Sequence, residues 1–193
     1  MSSYDDALTL RAARALYFAR SGFDESSYVD RWVRLQAGPL PLVMPNTAAR
    51  VRAVRLHDLH HVVTGYGTTW TGEGQIGAWE VASGCAGHVA AWHLNLLAMA
   101  VGLAIAPREV FAAFVRGRRS RNLYREEYGD GLLGETVGGM RRRLGLDAGP
   151  GGASAAEKAA FAAWSAGALA TWLATAAPFA ALIWAAIALL RQE

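Results

Sequence analysis

The sequence predicts an all-α protein: a compact helical domain with a hydrophobic C-terminal helix or helical hairpin behind it. Three observations carry this. Apolar residues recur at helical spacing in segment after segment, and no convincing run of period-two alternation interrupts them. Clusters of glycine and proline punctuate these segments where helices should begin and end. The stretch Ala159–Leu190 contains no Asp, Glu, Lys or Arg, and a helix of that composition has no polar face to offer water.

In chain order, Tyr4 to Arg20 places Leu8, Ala12, Ala15, Leu16 and Ala19 on one side and arginines on the other, with Asp5 and Asp6 near the start to complement the helix dipole. Ser21-Gly22 ends this helix. A second short helix is expected over Ser26–Gln36, contributing Val29, Trp32, Val33 and Leu35, with Asp24 or Ser26 as its cap. Gly38–Asn46 holds Pro39, Pro41 and Pro45 and reads as an extended or turning connector. Asn46 or Thr47 then caps a helix that runs through Val51, Val54 and Leu56 to Val63. Thr64–Gly74, rich in glycine and threonine, reads as a loop. One long apolar helix is expected from about Gln75 to Ala106, then a helix over Pro107–Tyr128 with a basic end, then a last one over Leu132–Leu144. The Gly/Pro/Ser run Asp147–Ser154 is the clearest boundary. It divides the chain into a domain over 1–147, a linker over 148–156 and an apolar tail over 157–193.

A chain of 193 residues suits one domain with an appendage, and a single cysteine, Cys85, excludes an internal disulfide. Cys85 reads as a small buried residue. The start of the chain shows no signal-peptide pattern. The net charge of +3 comes mostly from arginine; it reads as a solvated basic face, with an anionic membrane surface as the next choice, and nucleic acid is not indicated. The uncharged tail exceeds the ~20 residues that span a bilayer. Trp164 and Trp172 near one end and Trp184 near the other suit interfacial positions, and Pro178 would kink one span or divide two short ones. The arginine-rich domain before it, against Arg191 alone beyond it, places the domain on the cytoplasmic side of the membrane.

The chemistry concentrates in Leu56–Glu80. His57 and His61 are four apart, so on a helix they differ by about 40° in azimuth and project from one face. Asp58 lies near the edge of that face. Two imidazoles and a carboxylate make a sensible donor set for Zn²⁺, Fe²⁺ or Mn²⁺. Glu73, across the glycine-rich loop, stands as a fourth ligand or a general base. Glu80 shares a face with Glu73 if both are helical, and is placed to accept a hydrogen bond from a ligand histidine. His60 points about 60° or more off the pair's face; with Glu80 and His88 it is assigned to the layer behind the ligands. His88 and His93, five apart, lie on different faces of the next helix, and His88 is the better placed to look toward His57 and His61. Two histidines four apart also occur in zincin proteases, but Asp58 stands where that motif needs its catalytic Glu, so protease chemistry is not supported.

His57-Asp58-x-x-His61, eleven residues, then Glu73 resembles the signature of the fourth coenzyme Q (ubiquinone) biosynthesis protein family. The neighbouring words are similar too: Asn46-Thr47, His61-Val62-Val63-Thr64-Gly65-Tyr66-Gly67-Thr68, Gly72-Glu73 and Glu80, and more loosely the Arg-x-x-Leu-Gly-Leu ending at Leu146. The likeness covers roughly residues 5–147. It implies a membrane-associated helical protein that binds a divalent metal through His57, Asp58, His61 and Glu73. Such a protein holds a prenylated quinone precursor or another lipid, and works with other quinone-biosynthesis enzymes. It also implies oxidative decarboxylation with hydroxylation at ring C1, with Glu73 and His61 as the residues taking part; the alternative is a non-enzymatic lipid-binding scaffold that organises those enzymes. A homodimer at a bacterial cytoplasmic membrane is expected, with the prenyl chain along the apolar helices, Val81–Ile105 above all. Three features depart from the family pattern: His60 in place of an apolar residue, a short N-terminal part, and the apolar tail.

Overall fold

The computed structural model describes residues 4–37, 40–147 and 151–190. Gly38 and Pro39 of the predicted connector, part of the predicted linker (148–150) and Arg191 lie outside the described residues. The described chain is all-α apart from one small hairpin. Its elements are α1 (Leu10–Ser21), α2 (Ser26–Val29), β1 (Trp32–Ala37), β2 (Leu40–Pro45), α3 (Ala48–Thr64), α4 (Trp70–Ser83), α5 (Val89–Ile105), α6 (Pro107–Arg118), α7 (Asp130–Gly134), α8 (Val137–Leu144) and α9 (Ala155–Leu190).

The expected helix over Ser26–Gln36 is a single turn, α2, followed by β1. Residues 32–37 pair antiparallel with 40–45, Trp32 opposite Pro45 and Ala37 opposite Leu40. Pro41 and Pro45 are tolerated in a two-stranded ribbon, where each strand has an unpaired edge, and β2 draws the preceding segment into strand with it.

The helix expected over Gln75–Ala106 is two helices. The backbone turns at Gly84 (φ +90°) and Ala86 (φ +44°), in a run of small residues, Ser83 to Gly87, that offers little packing to hold a helix straight. α5 therefore folds back on α4. Their approach is close enough to require glycine: a Cβ on Gly74 would stand 2.6 Å from the Gly102 Cα, and one on Gly77 would stand 2.8 Å from the Asn95 carbonyl oxygen. On its other side α4 meets α6, where a Cβ on Gly117 would stand 2.4 Å from the Trp79 carbonyl. α4 is thus the central helix. Because the clash at Gly74 is backbone against backbone, no rotamer relieves it. Gly74→Ala is expected to lower stability by about 2 kcal/mol despite the better helix propensity of Ala. Gly167→Ala, where nothing lies within 4 Å, should be neutral or slightly stabilising; thermal melts of the two variants check this.

α3 is fixed at both ends. The Thr47 hydroxyl accepts from the Arg50 N–H at 3.2 Å, and Gly65 closes the far end at φ +76°. Two arginines satisfy its last carbonyls: Arg116 donates to Thr64 at 2.9 Å and Arg141 to Val63 at 3.0 Å. The main core lies between α1, α3, α4 and α8, around Leu10, Leu59, Val62, Trp79 and Met140. A second cluster, with Val81, Met99, Val110 and Phe114, lies between α4, α5, α6 and the start of α9.

α9 opens with a capping box. The Ser154 hydroxyl accepts from the Glu157 N–H, and Glu157 accepts from the Ser154 N–H at 2.8 Å. Arg119 grips Glu157 with two bonds of 2.7 and 2.8 Å and donates to the Gly151 and Gly152 carbonyls. The described end of the linker is therefore pinned to α6. The first turns of α9 then dock: Trp164 stacks on Trp92 with centroids 5.3 Å apart, Phe161 meets Phe111 and Phe114 edge-on, and Ala168 is buried. Beyond Ala168 the helix is mostly exposed, through Leu173, Phe179, Leu182 and Trp184. It is continuous across Pro178, so the tail is one helix. It is long and apolar enough to cross a membrane.

Candidate metal centre

Glu73 is helical, not part of a loop. Thr69 caps α4 by accepting from the Gly72 N–H, so the loop expected over Thr64–Gly74 shrinks to residues 65–69. The Glu73 carboxylate falls at the first turn of α4, where the helix dipole favours it. α3 supplies His57 and His61 from one face.

These three side chains converge: one donor atom from each of His57, His61 and Glu73 lies within 4.8 Å of the others. The two Nε2 atoms are 3.1 Å apart. Glu73 oxygens stand 3.7 Å from His57 Nε2 and 3.5 Å from His61 Nε2. In a tetrahedral site with metal bonds of ~2.0–2.1 Å, donor atoms sit about 3.3 Å apart, which these separations bracket. The residues present fit a divalent metal ion.

Hydrogen bonds on the far side of each ring aim the Nε2 atoms. His61 Nδ1–H donates to the Tyr66 carbonyl at 3.0 Å. A carbonyl only accepts, so this bond leaves the Nε2 lone pair of a neutral His61 pointing inward. His57 Nδ1–H donates to Glu80 Oε1 at 2.8 Å. The His57 ring thus lies between two carboxylates of one helix, Glu80 behind it and Glu73 before it.

The charges follow from burial and these partners. Burial drives His61 down to about 4, so it is neutral. Burial acts the same way on His57, but the Glu80 and Glu73 carboxylates outweigh it and hold His57 well above the usual imidazole range. Burial would raise Glu80, yet His57 and His60 hold it well below the carboxylate range. Glu73 is likewise lowered, its histidine partners outweighing burial. Without metal, then, His57 is an imidazolium whose Nε2–H points at the His61 lone pair, and His57 would have to give up that proton to serve as a ligand.

Two of the predicted assignments change. Asp58 does not join the converging group. One residue beyond His57, it is turned ~100° around α3, and its oxygens accept from the hydroxyls of Tyr17, at 3.4 Å, and Tyr28. Burial pushes it up to about 6. Its neighbour Tyr17 stacks flat on the His61 ring, with centroids 5.3 Å apart, so Asp58 supports the site through Tyr17. His88 does not face the metal helix: its Nε2 donates to the Tyr124 carbonyl at 3.1 Å, and its ring lies against the Tyr124 ring.

Glu80 lies behind His57 and bonds to both His57 and His60. His60 Nδ1–H donates to Glu80 Oε1 at 2.6 Å, and its Nε2 accepts from the Leu123 N–H at 2.9 Å. Both ring nitrogens are used, so His60 holds no metal. Sequence reasoning missed Asn95 and Tyr124, which both donate to Glu80 Oε2, and Tyr66, which acts through its backbone. A signal existed for Asn95, the one buried side chain in the apolar run Val89–Ile105 that carries both a hydrogen-bond donor and an acceptor; His93 is exposed and the Trp92 indole only donates. None existed for Tyr124, 44 residues from its partner.

No family model, curated protein or solved structure matches the chain.

Proposed function

We propose that the protein is a membrane-held metalloprotein that modifies the ring of a prenylated quinone precursor, as its motif resemblance implies. The observation that carries the reading is the pair of imidazole Nε2 atoms facing each other at 3.1 Å beside the Glu73 carboxylate, each ring held from behind by an acceptor. Zinc, iron and manganese all suit this donor set. When bound, such an ion polarises a phenolic or carboxylate oxygen and, if redox-active, passes electrons to O₂.

The chain's own residues do the rest. His57, His61 and Glu73 hold the ion. Glu73, the most exposed of the three side chains, is the group placed to take a proton from substrate. The buried packing of Tyr17 against His61 keeps water from that imidazole. The proposed reaction is oxidative decarboxylation with hydroxylation at C1 of a hydroxybenzoate-type ring: the bond from C1 to the carboxyl carbon breaks and carbon dioxide leaves, a hydroxyl from water takes its place, and O₂ accepts the two electrons and two protons as hydrogen peroxide. The apolar helices α5 and α9 suit the prenyl chain and the membrane. The proposed location is a bacterial cytoplasmic membrane, with the arginine-rich domain on the cytoplasmic face beside the partner enzymes.

The experiment is metal analysis of anaerobically purified protein, followed by incubation with a prenylated hydroxybenzoate under O₂. The expected result is one divalent ion per chain and a C1-hydroxylated product, both lost in a folded His61→Ala protein. Metal-loaded protein that co-purifies with lipid yet never turns the ring over would replace this reading with the scaffold, which the exposed apolar surface of α9 equally serves. Full ring processing by His57→Ala/Glu73→Ala protein would sink it.

A further inference from the structure

Glu80 is fully buried and accepts four hydrogen bonds, which fall in two pairs. Oε1 takes the Nδ1–H groups of His57, at 2.8 Å, and His60, at 2.6 Å. Oε2 takes the Asn95 amide and the Tyr124 hydroxyl. The first pair comes from α3, the helix of the metal group. The second comes from α5 and from the segment after α6, neither of which contributes an atom to that group.

We propose that Asn95 and Tyr124 are positioning residues for the metal, acting through Glu80. The inference rests on the metal reading above and concerns side chains that do not touch the ion. A carboxylate turns freely about its last bond unless both oxygens are held. Here His57 also shares Oε1 with His60, so a small rotation of the carboxylate would leave His57 the weaker claim. Two donors on Oε2 stop that rotation and keep Oε1 under the His57 ring. That bond in turn fixes the azimuth of the ring and the direction of its Nε2 lone pair.

Both donors are themselves held. Tyr124 packs edge-on against the His60 ring at 4.9 Å, its carbonyl accepts from His88, and its N–H donates to the Asn122 side chain. Asn95 is buried beside Cys85, at 3.5 Å from its sulfur, where α5 crosses Gly77. Removal of either donor frees one lone pair of Oε2 and loosens the ring two bonds away.

Cobalt(II) titration tests this, because its visible absorption reports the geometry of the ligands and needs no turnover. Wild type is expected to bind one Co²⁺, and His57→Ala to lose it. Tyr124→Phe and Asn95→Leu should each weaken binding by about tenfold and shift the visible bands. If Asn95→Leu does not fold, Asn95→Ser takes its place, and Tyr124→Phe reads the effect alone. Asn46→Ala is the control: it breaks bonds to Ser27, Asp30 and Arg50 at the far end of α3 without touching Glu80, and should bind as wild type does. Wild-type affinity and bands in Tyr124→Phe and Asn95→Leu, with His57→Ala still inactive in binding, would overturn the positioning role while leaving the metal reading intact. Equal weakening by Asn46→Ala would overturn it too, since general loosening would then suffice. Wild type that binds no Co²⁺ overturns both readings together.

Discussion

Glu80→Gln is expected to cost the metal-free protein about 3–5 kcal/mol at pH 6, a large share of the 5–15 kcal/mol that holds a typical domain folded. The substitution keeps volume and removes only charge and acceptor capacity. All four partners of Glu80 are donors in this arrangement: His57, His60, Asn95 and Tyr124. A glutamine puts an NH₂ where two of them point, whichever way its amide turns. The buried His57 imidazolium also loses the carboxylate that charges it. The effect depends on pH in a direction set by the two shifts. Glu80 is lowered in the fold, so its contribution is present above the unfolded carboxyl pKa of about 4.3 and is lost as pH falls through the lower folded value. His57 is raised, so its contribution is present below the unfolded imidazole pKa of about 6.5 and is lost as pH rises through the higher folded value. The gap between wild type and Glu80→Gln should therefore be widest between about pH 4.3 and 6.5 and narrow on either side. Urea unfolding with EDTA present, at intervals across that range, measures it. A gap below about 0.5 kcal/mol at pH 6 would mean that Glu80 is not the charged centre of this cluster.

The site was legible as far as local periodicity reaches. Four-residue spacing paired His57 with His61, set His60 apart, and put Glu73 and Glu80 on one face. Each of these is a fact about a single helix, and each appears in the fold. Asp58 marks the limit of such reasoning. Its position on the helix allowed it to reach the metal, but two tyrosines from α1 and α2 offered hydroxyls, and no local pattern announces a partner 41 or 30 residues away. The errors in the fold have a similar origin. Val89–Ile105 and Trp70–Ser83 are both apolar at helical period, so the break between them rests on Gly84 and Ala86 adopting positive φ, and what favours the turn is non-local: Gly74 against Gly102, and Gly77 and Glu80 against Asn95. The β-hairpin was missed because two six-residue strands, the second carrying Pro41 and Pro45, show too few alternations to separate from a helical pattern. The capping box Ser154-Ala155-Ala156-Glu157 was, by contrast, readable in the sequence, and marks the start of α9 more sharply than composition does.

Cutting the chain after Ala168 is expected to move the protein from the membrane fraction to the soluble one without loss of fold, whereas cutting it after residue 150 should cost the fold as well. The composition-based boundary lies near residues 147–156, but packing puts it elsewhere. Phe161, Trp164 and Ala168 close the second core cluster against α5 and α6. Their removal would expose Met99, Val110 and Phe114 and forfeit, on the order of, 3–5 kcal/mol of apolar burial and aromatic contact. By composition alone the span candidate is Ala155–Leu182. With its first part docked on the domain, the portion free to enter a bilayer is Leu169–Leu190. At 1.5 Å per residue those roughly 22 residues reach ~33 Å, close to the ~30 Å of a hydrocarbon core. Trp172 and Trp184 then sit toward its two ends, and Pro178 falls near the middle, where a membrane helix tolerates it. Because the docked turns and the free turns are one continuous helix pinned at its start by Arg119 and Glu157, a bilayer that took up the free turns would hold the domain at a fixed attitude. Fractionation of cells that express residues 1–193, 1–168 and 1–150, with metal content and thermal melts of whatever is soluble, distinguishes the cases. Residues 1–168 that remain in carbonate-washed membranes would place the membrane contact on the domain itself, and residues 1–150 that melt as 1–168 does would show that the docked turns of α9 add nothing to the core.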